Sequence, residues 1–583
     1  MYLQRWNLEC FFQGGSQSKP FRDELESLAQ RIRALEQKLE RELSISLLTE
    51  IDQLDGAIKE CDAFILCLES QNSKDETASQ LRVRYCSLEA EFQKRAQAFD
   101  RALLNMSEQA FNAFLGQAEV KPYSYVLQER RRRASSLLEK NAEELATELA
   151  VDGYHSWNEM YSTLVASTRI PFKKEGKVEM LTAGQADNLF AHPDRAVRQE
   201  VFSEWEKAWT SKEREFSQVL NHLAGFRLAL YHRRGWQDPL HESLLENRMQ
   251  RETLDAMWGV VEANRAPFIG FLKQKGRMLG VERLSWYDLE ASLPSEKPDN
   301  VPYEDAAELI IERFSQFHKG MGAFAKLACQ EEWIDAEDRS DKRPGGFCVP
   351  FIHSKQSRIF MTYSGSMQNI LTLAHELGHG YHSYVIRDLP PLLQNYKMNV
   401  AETASTFAEQ LIFDALIEES TTREGKLKLL GDRLQRSATF FMNIYARFLF
   451  ETEFYKARSK EFLLAGDLNA LMTSAQKRAY GDALDVWHPH FWVSKLHFYF
   501  TGVPFYNYPY AFGYLLSLGL SARVKKERNF AEKYDAFLRD SGQMETEALV
   551  LKHWGADLRK PDFWQEAVDE AKGHLKEFVS LMG

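Results

Sequence analysis

No stretch of the 583-residue chain approaches the ~20 consecutive apolar residues that a membrane-spanning helix needs. A soluble protein with no membrane partner is therefore expected. The opening Met1–Cys10 has one Arg but no apolar run ending in a small-residue cleavage site, so it does not read as a secretory signal. Cysteine is scarce. Cys10, Cys61, Cys67, Cys86, Cys329 and Cys348 form no CxxC pair, which fits reduced thiols in the cytoplasm better than a disulfide framework. Positive charge is not in excess: 73 Lys and Arg against 84 Asp and Glu leave −11. General attraction to phosphate backbones is then a poor basis for function, and no nucleic-acid partner is expected, although a local basic groove stays open. No fixed-period repeat is visible.

The content that remains, 44% hydrophobic and 27% charged residues, is that of a globular protein. Pro and Gly are almost absent from 21 to about 70, where Leu25, Leu28, Ile32, Leu35 and Leu39 recur at helical spacing. Similar patterns cover Leu81 to about Leu115 and, after Pro122, a stretch to Leu149. Thr168-Arg169-Ile170-Pro171 reads as a turn, and 280–300, with Pro294 and Pro298, as an irregular connection. Phe347–Ile352 and Arg358–Tyr363 are the best strand candidates. The expected fold is predominantly α with one small β-sheet.

Ser364-Gly365-Ser366 can cap a helix beginning near Met367. On it lies His375-Glu376-Leu377-Gly378-His379. Histidines four apart project from one helix face, where both imidazoles reach the same ion. Glu376, about 100° round from His375, is placed to deprotonate the water such an ion activates rather than to ligate. Imidazole donors suit Zn²⁺. The plain alternative is a surface helix with two satisfied histidines. At His241-Glu242, where Leu245 replaces the second His, that plain reading holds.

A catalytic zinc needs a third protein ligand. Val400, Ala401, Ala404, Phe407, Ala408 and Leu411 mark a second buried helical stripe. Glu402 at its edge and Glu409 two turns on are the two candidates, the loser being a supporting group or a solvated carboxylate. His382 faces within ~60° of His379 and reads as packing or support. The run Arg130–Arg133 reads as a solvated, salt-bridged face.

These residues resemble the oligoendopeptidase F branch of the thimet oligopeptidase family of zinc metallopeptidases. The likeness rests on His-Glu-Leu-Gly-His-Gly-Tyr-His from His375, Val-Ala-Glu-Thr-Ala-Ser from Val400 and Arg-Pro-Gly-Gly-Phe-Cys from Arg343. It extends to His497-Phe498-Tyr499, to Pro504–Tyr514 and to Trp6-Asn7-Leu8. It implies a two-lobed helical ellipsoid with a deep substrate channel and a small β-sheet next to the zinc helix. It further implies one Zn²⁺ per chain held by His375, His379 and Glu402, with Glu376 as general base. His497 and the tyrosines of 506–514 would stabilise the oxyanion or bind oligopeptide substrates, Tyr506 and Tyr510 the former, Tyr508 and Tyr514 the latter. The tyrosine stretch itself reads as a donor-rich loop.

Gly345 and Gly346 would allow close backbone approach to a substrate. Arg358–Tyr363, leading into the metal helix, would pair with an extended peptide as an edge strand. The expected division is 1–111, 112–185 and 186–583, the last being catalytic. The expected activity is internal cleavage of oligopeptides. An exopeptidase would need a fixed group for a terminal carboxylate or amine, which no residue pattern locates. A helical binding protein with a vestigial metal site would have no need of Glu376. The oligomeric state stays open.

Overall fold

The computed structural model describes residues 2–39, 43–174, 176–293, 301–524 and 526–582. Pro294 and Pro298 of the expected irregular connection lie outside them. The chain is mostly helical and forms two compact units, each assembled from three segments. The first comprises Met1–Leu137, Pro298–Ala415 and Arg523–Gly555; the second Leu138–Lys297, Leu416–Ala522 and Ala556–Gly583. The units cut the chain elsewhere than at 111, which falls inside the helix Glu108–Leu115.

In the first unit Leu25, Leu28, Ile32 and Leu35 are all buried along one face of the helix Lys19–Leu39. They pack with the helices Ile45–Gln71 and Glu76–Asn105. The same apolar core takes in Phe351, Phe360, Leu392 and Leu393, so the N-terminal helices and the sheet share one interior. That sheet has three strands. Gln356–Phe360 runs parallel to Ile334–Asp335 on one side and antiparallel to Phe347–Phe351 on the other. Residues 4–10 are tied to the same structure. Trp6 lies against Phe347 and Phe360, Asn7 N–H donates to Glu332 O at 2.9 Å, and Ala336 N–H donates to Gln4 O at 2.9 Å. The buried Arg358 guanidinium donates to Asn7 O and covers the Phe11 ring at 4.4 Å.

Two expectations are corrected here. The strand leading to the metal helix is the central one, because the two-residue strand Ile334–Asp335, too short to show a pattern, occupies its outer side. Thr168–Pro171 is no turn: Ile170–Lys174 pairs with Lys177–Leu181 in an antiparallel hairpin of the second unit. Pro171 is tolerated because a two-stranded hairpin has only edge strands. A further small parallel pair joins Leu284–Ser285 to Leu484–Val486. Elsewhere the plain readings hold. The arginine run is salt-bridged through Arg130–Asp100, Arg131–Glu108, Arg132–Glu545 and Arg133–Glu129. Glu242 accepts a hydrogen bond from Tyr231. No helix among the described residues is long and apolar enough to cross a membrane.

Candidate metal centre

Ser366 caps the helix Met367–Ile386. Its hydroxyl accepts from Asn369 N–H at 3.2 Å, and the Asn369 side chain answers by accepting from Ser366 N–H. The second helix runs Met398–Glu419. Its turns from Thr403 to Gln410 are buried on every side, beyond the single stripe the sequence suggested. The reason is a close crossing. A Cβ on Gly378 would lie 2.8 Å from Ala404 O and 2.8 Å from Ser405 Cα. Only a glycine there, facing Ala404, Ser405 and Ala408, lets the two backbones touch.

The crossing brings His375, His379 and Glu402 together, with one donor atom of each within 4.8 Å of the others. His375 Nε2 is 3.7 Å from Glu402 Oε2, and His379 Nε2 is 4.0 Å from Glu402 Oε1. A tetrahedral cation with bonds of about 2.1 Å has donor–donor edges of about 3.4 Å, so these residues fit Zn²⁺ after small side-chain adjustments. Glu409 is aimed elsewhere: its Oε1 lies 2.6 Å from His375 Nδ1. A carboxylate accepting there keeps the proton on Nδ1 and the Nε2 lone pair free for a cation. Ser405 Oγ donates to Glu402 Oε2 at 3.3 Å. Burial would lower His375, but the Glu409 hydrogen bond and charge outweigh it and lift the ring to about 9. Burial, with His375 and His382 beside it, drives His379 well down. These opposite shifts belong to the donor set without its cation.

Burial also lifts Glu376 to about 7, and its Oε2 is buried with no hydrogen-bond partner among the described residues. Such an atom suits a group that works on a bound water or ligand. Gly346 stands beside it: a Cβ there would meet Glu376 Oε1 at 3.2 Å and Phe360 O at 3.3 Å. Gly345 adopts φ +105° with open space around it. Lys342, which the sequence reading passed over, anchors this loop by donating to Asp335 Oδ1 at 2.6 Å and Met361 O at 2.7 Å. Its only sequence signal is position, directly before Arg343–Gly346. His382 is packed away, stacked on Tyr396 at 3.8 Å with Nε2 2.8 Å from Ser541 Oγ.

The remaining candidates belong to the second unit. His497, Tyr506 and Tyr510 form one aromatic cluster, with His497 5.5 Å from Tyr506, 6.0 Å from Tyr510, and the two tyrosines 5.6 Å apart between ring centroids. Burial, then the charges of Arg447 and Lys495, push His497 down to about 3. It is therefore a neutral imidazole at physiological pH. The expected loop is a loop only to Asn507, because Tyr508–Val524 is a helix with Pro509 in its first turn, where a missing N–H is harmless. Residues 508 and 510 are about 200° apart on a helix, so they face opposite ways. Tyr508 is buried, its hydroxyl donating to Ser243 O at 3.1 Å and accepting from Asn247. Tyr514 is equally buried, 2.8 Å from Ser437 Oγ and stacked on Phe440. In this structure both hydroxyls are engaged by partners within the second unit.

Known proteins match this chain along most of its length. The model of peptidase family M3 matches residues 188–570, and that of oligopeptidase F matches 103–169. Oligopeptidase PepF of Bacillus subtilis is 25% identical over 492 residues, covering 82% of this chain and 72% of that protein. An oligoendopeptidase F homolog of Lactococcus lactis is 22% identical over 554 residues, 92% of this chain and 90% of its own. Among solved structures, oligoendopeptidase-F from Enterococcus faecium superposes with a TM-score of 0.72 at 18% identity, covering 97% of this chain and 99% of that one. A candidate peptidase from Chlamydophila abortus does so with a TM-score of 0.84 at 21% identity, over 99% and 98%.

Proposed function

Since the chain belongs to peptidase family M3, we propose that it is a zinc-dependent endopeptidase cleaving internal bonds of short oligopeptides, as its relatives' names describe for them. His375, His379 and Glu402 would hold the metal. The observation that carries this reading is the convergence of those three donors beside Glu376, whose Oε2 has no hydrogen-bond partner among the described residues. Zn²⁺ in this site supplies a Lewis acid and a nucleophilic water at neutral pH. Glu376 would accept the proton of the attacking water and pass it to the leaving nitrogen. His497, as a neutral ring, and the hydroxyls of Tyr506 and Tyr510 are assigned to the substrate and its developing oxyanion.

Gly346 and the outer strand Phe347–Phe351 are assigned to the peptide backbone. The N–H groups of Ile359 and Met361 donate to Trp333 O and Asp335 O. By strand alternation, Phe347, Val349 and Phe351 then bond inward, and Cys348 presents its N–H and C=O at the outer edge. Pro350 has no N–H and ends that ladder after one step. Backbone pairing of this kind gives affinity with little side-chain preference. The six free cysteines suit a reducing cytoplasm.

The test is turnover of an end-blocked, internally quenched oligopeptide by the wild type and by Glu376→Gln, with bound zinc quantified in both. Internal cleavage should fall by roughly 10²–10⁴-fold in the variant while zinc stays stoichiometric. Zinc-loaded wild type that cleaves no member of a varied peptide set would refute the endopeptidase.

A further inference from the structure

A cavity of about 300 Å³ opens in the second unit, and its wall carries two cations, Arg447 and Lys495, along with the carboxylates Asp187 and Glu290, neither of which hydrogen-bonds either cation among the described residues. Arg447 and Lys495 stand over the same ring, with Arg447 5.0 Å and Lys495 5.4 Å from the Phe491 centroid. The Arg447 guanidinium is oriented by amide oxygens: Nε donates to Asn443 Oδ1 at 2.8 Å and Nη1 to Asn507 Oδ1 at 3.2 Å. Neither partner carries charge. Lys495 Nζ has only Asp187, 4.0 Å away and half exposed, as an ion-pair partner among the described residues. Glu290 also lines the cavity but is solvent-exposed. Two like charges held around one partly buried ring repel each other unless an anion joins them. Burial accordingly holds both below their ordinary values, Arg447 at about 10.

The local backbone supports a built site. Thr439–Asn443 is a π-helical turn spliced between the helices Arg423–Ala438 and Ile444–Arg458. It contributes Thr439 and Asn443 to the cavity wall, one turn from Arg447. Such bulges recur at functional sites because they re-aim side chains at some cost in helix regularity. The cations also act on the neighbouring aromatic cluster, since both depress the basicity of His497.

We propose that this cavity binds the C-terminal carboxylate of a peptide, with Arg447 and Lys495 as its charge partners. The fork of a guanidinium and the mobile ammonium are the pair that holds a carboxylate through charge-assisted hydrogen bonds. The inference rests on the peptidase reading and sharpens it: peptides with a free C-terminus are preferred over those whose C-terminus is blocked.

The test uses zinc-loaded enzyme and one quenched peptide in three forms: free acid, C-terminal amide, and amide ending in Glu. The free acid should show a KM at least about tenfold below both amides. Lys495→Met and Arg447→Met should bring the acid-to-amide ratio close to one, and Lys495→Arg should keep it well away from one. The ratio is read within each variant, so a general loss of folded enzyme does not imitate the result. Cleavage of all three forms with equal KM by the wild type overturns the carboxylate site and leaves the endopeptidase standing. A Glu-ending amide that matches the free acid overturns the terminal assignment in favour of an acidic side chain. Failure to cleave any form refutes the peptidase reading, and this inference with it.

Discussion

Glu409 holds Nδ1 of His375 at 2.6 Å and thereby turns Nε2 toward Glu402. Glu409→Gln keeps the shape but loses the charge that makes His375 a strong donor. Zinc affinity measured by chelator competition should fall roughly 10–100-fold, with little change in thermal stability. Glu451 is a different case, a buried carboxyl in the second unit. Burial pushes it up to about 8, with the charge of Arg227 and the Phe505 N–H only partly opposing. It holds Phe505, whose φ is +53°, by accepting from its N–H at 3.2 Å. A carboxyl raised from 4.5 in the unfolded chain contributes its full stability below that value and loses it as pH rises through about 8. Glu451→Gln should flatten that part of the fall in Tm between about pH 5 and pH 8, read by thermal unfolding across the range. At this scale the candidate metal donors His375 and His379 were legible because HExxH spacing is local. Glu409's role was not, since whether a carboxylate meets a metal or a histidine depends on a crossing between two helices. Arg447 and Lys495 were invisible for the same reason, being 48 residues apart along the chain.

The crossing at Gly378 is the element that assembles the centre. Gly378→Ala would put a Cβ 2.8 Å from backbone, which a rotamer change cannot relieve. We expect a loss on the order of 1–3 kcal/mol in denaturant unfolding. Zinc retention should weaken too, because the histidines and Glu402 lie on different sides of the contact. The capped helix start and the buried leucine face of Lys19–Leu39 followed directly from pattern, since caps and amphipathic faces are written in neighbouring residues. Strand order was not. Phe347–Ile352 and Arg358–Tyr363 were visible as short β-branched and aromatic runs, overlapping the observed strands Phe347–Phe351 and Gln356–Phe360, but the two residues Ile334–Asp335 that decide which strand is central carry no periodicity. Tyr508–Tyr514 misled in another way. Proline and glycine suggested a loop, yet a proline in the first turn is compatible with a helix. The helix then divides the tyrosines, sending Tyr508 inward and Tyr510 toward His497.

Across the whole molecule, both compact units are built from three separated segments, so no cut between expected sequence regions isolates either one. The metal helix and its partner helix follow a sheet whose other face is covered by residues 6–127. A fragment 186–583 would expose Phe351, Phe360, Leu392 and Leu393, all buried in the full chain. It should show no cooperative unfolding transition and no stoichiometric zinc, measurable by near-ultraviolet circular dichroism and metal analysis. A fold dominated by helices was legible from composition and periodicity. The interleaving of segments was not, because it is set by which apolar faces meet rather than by any one of them. The bond from Arg358 to Asn7 spans 351 residues. At synthesis rates of about 5–20 residues per second, the first ten residues wait roughly 20–70 s for the strand they serve. The N-terminal helices must spend that interval with part of their core uncovered. The candidate metal donors His375, His379 and Glu402 follow that strand along the chain, so they come together only after it has been made.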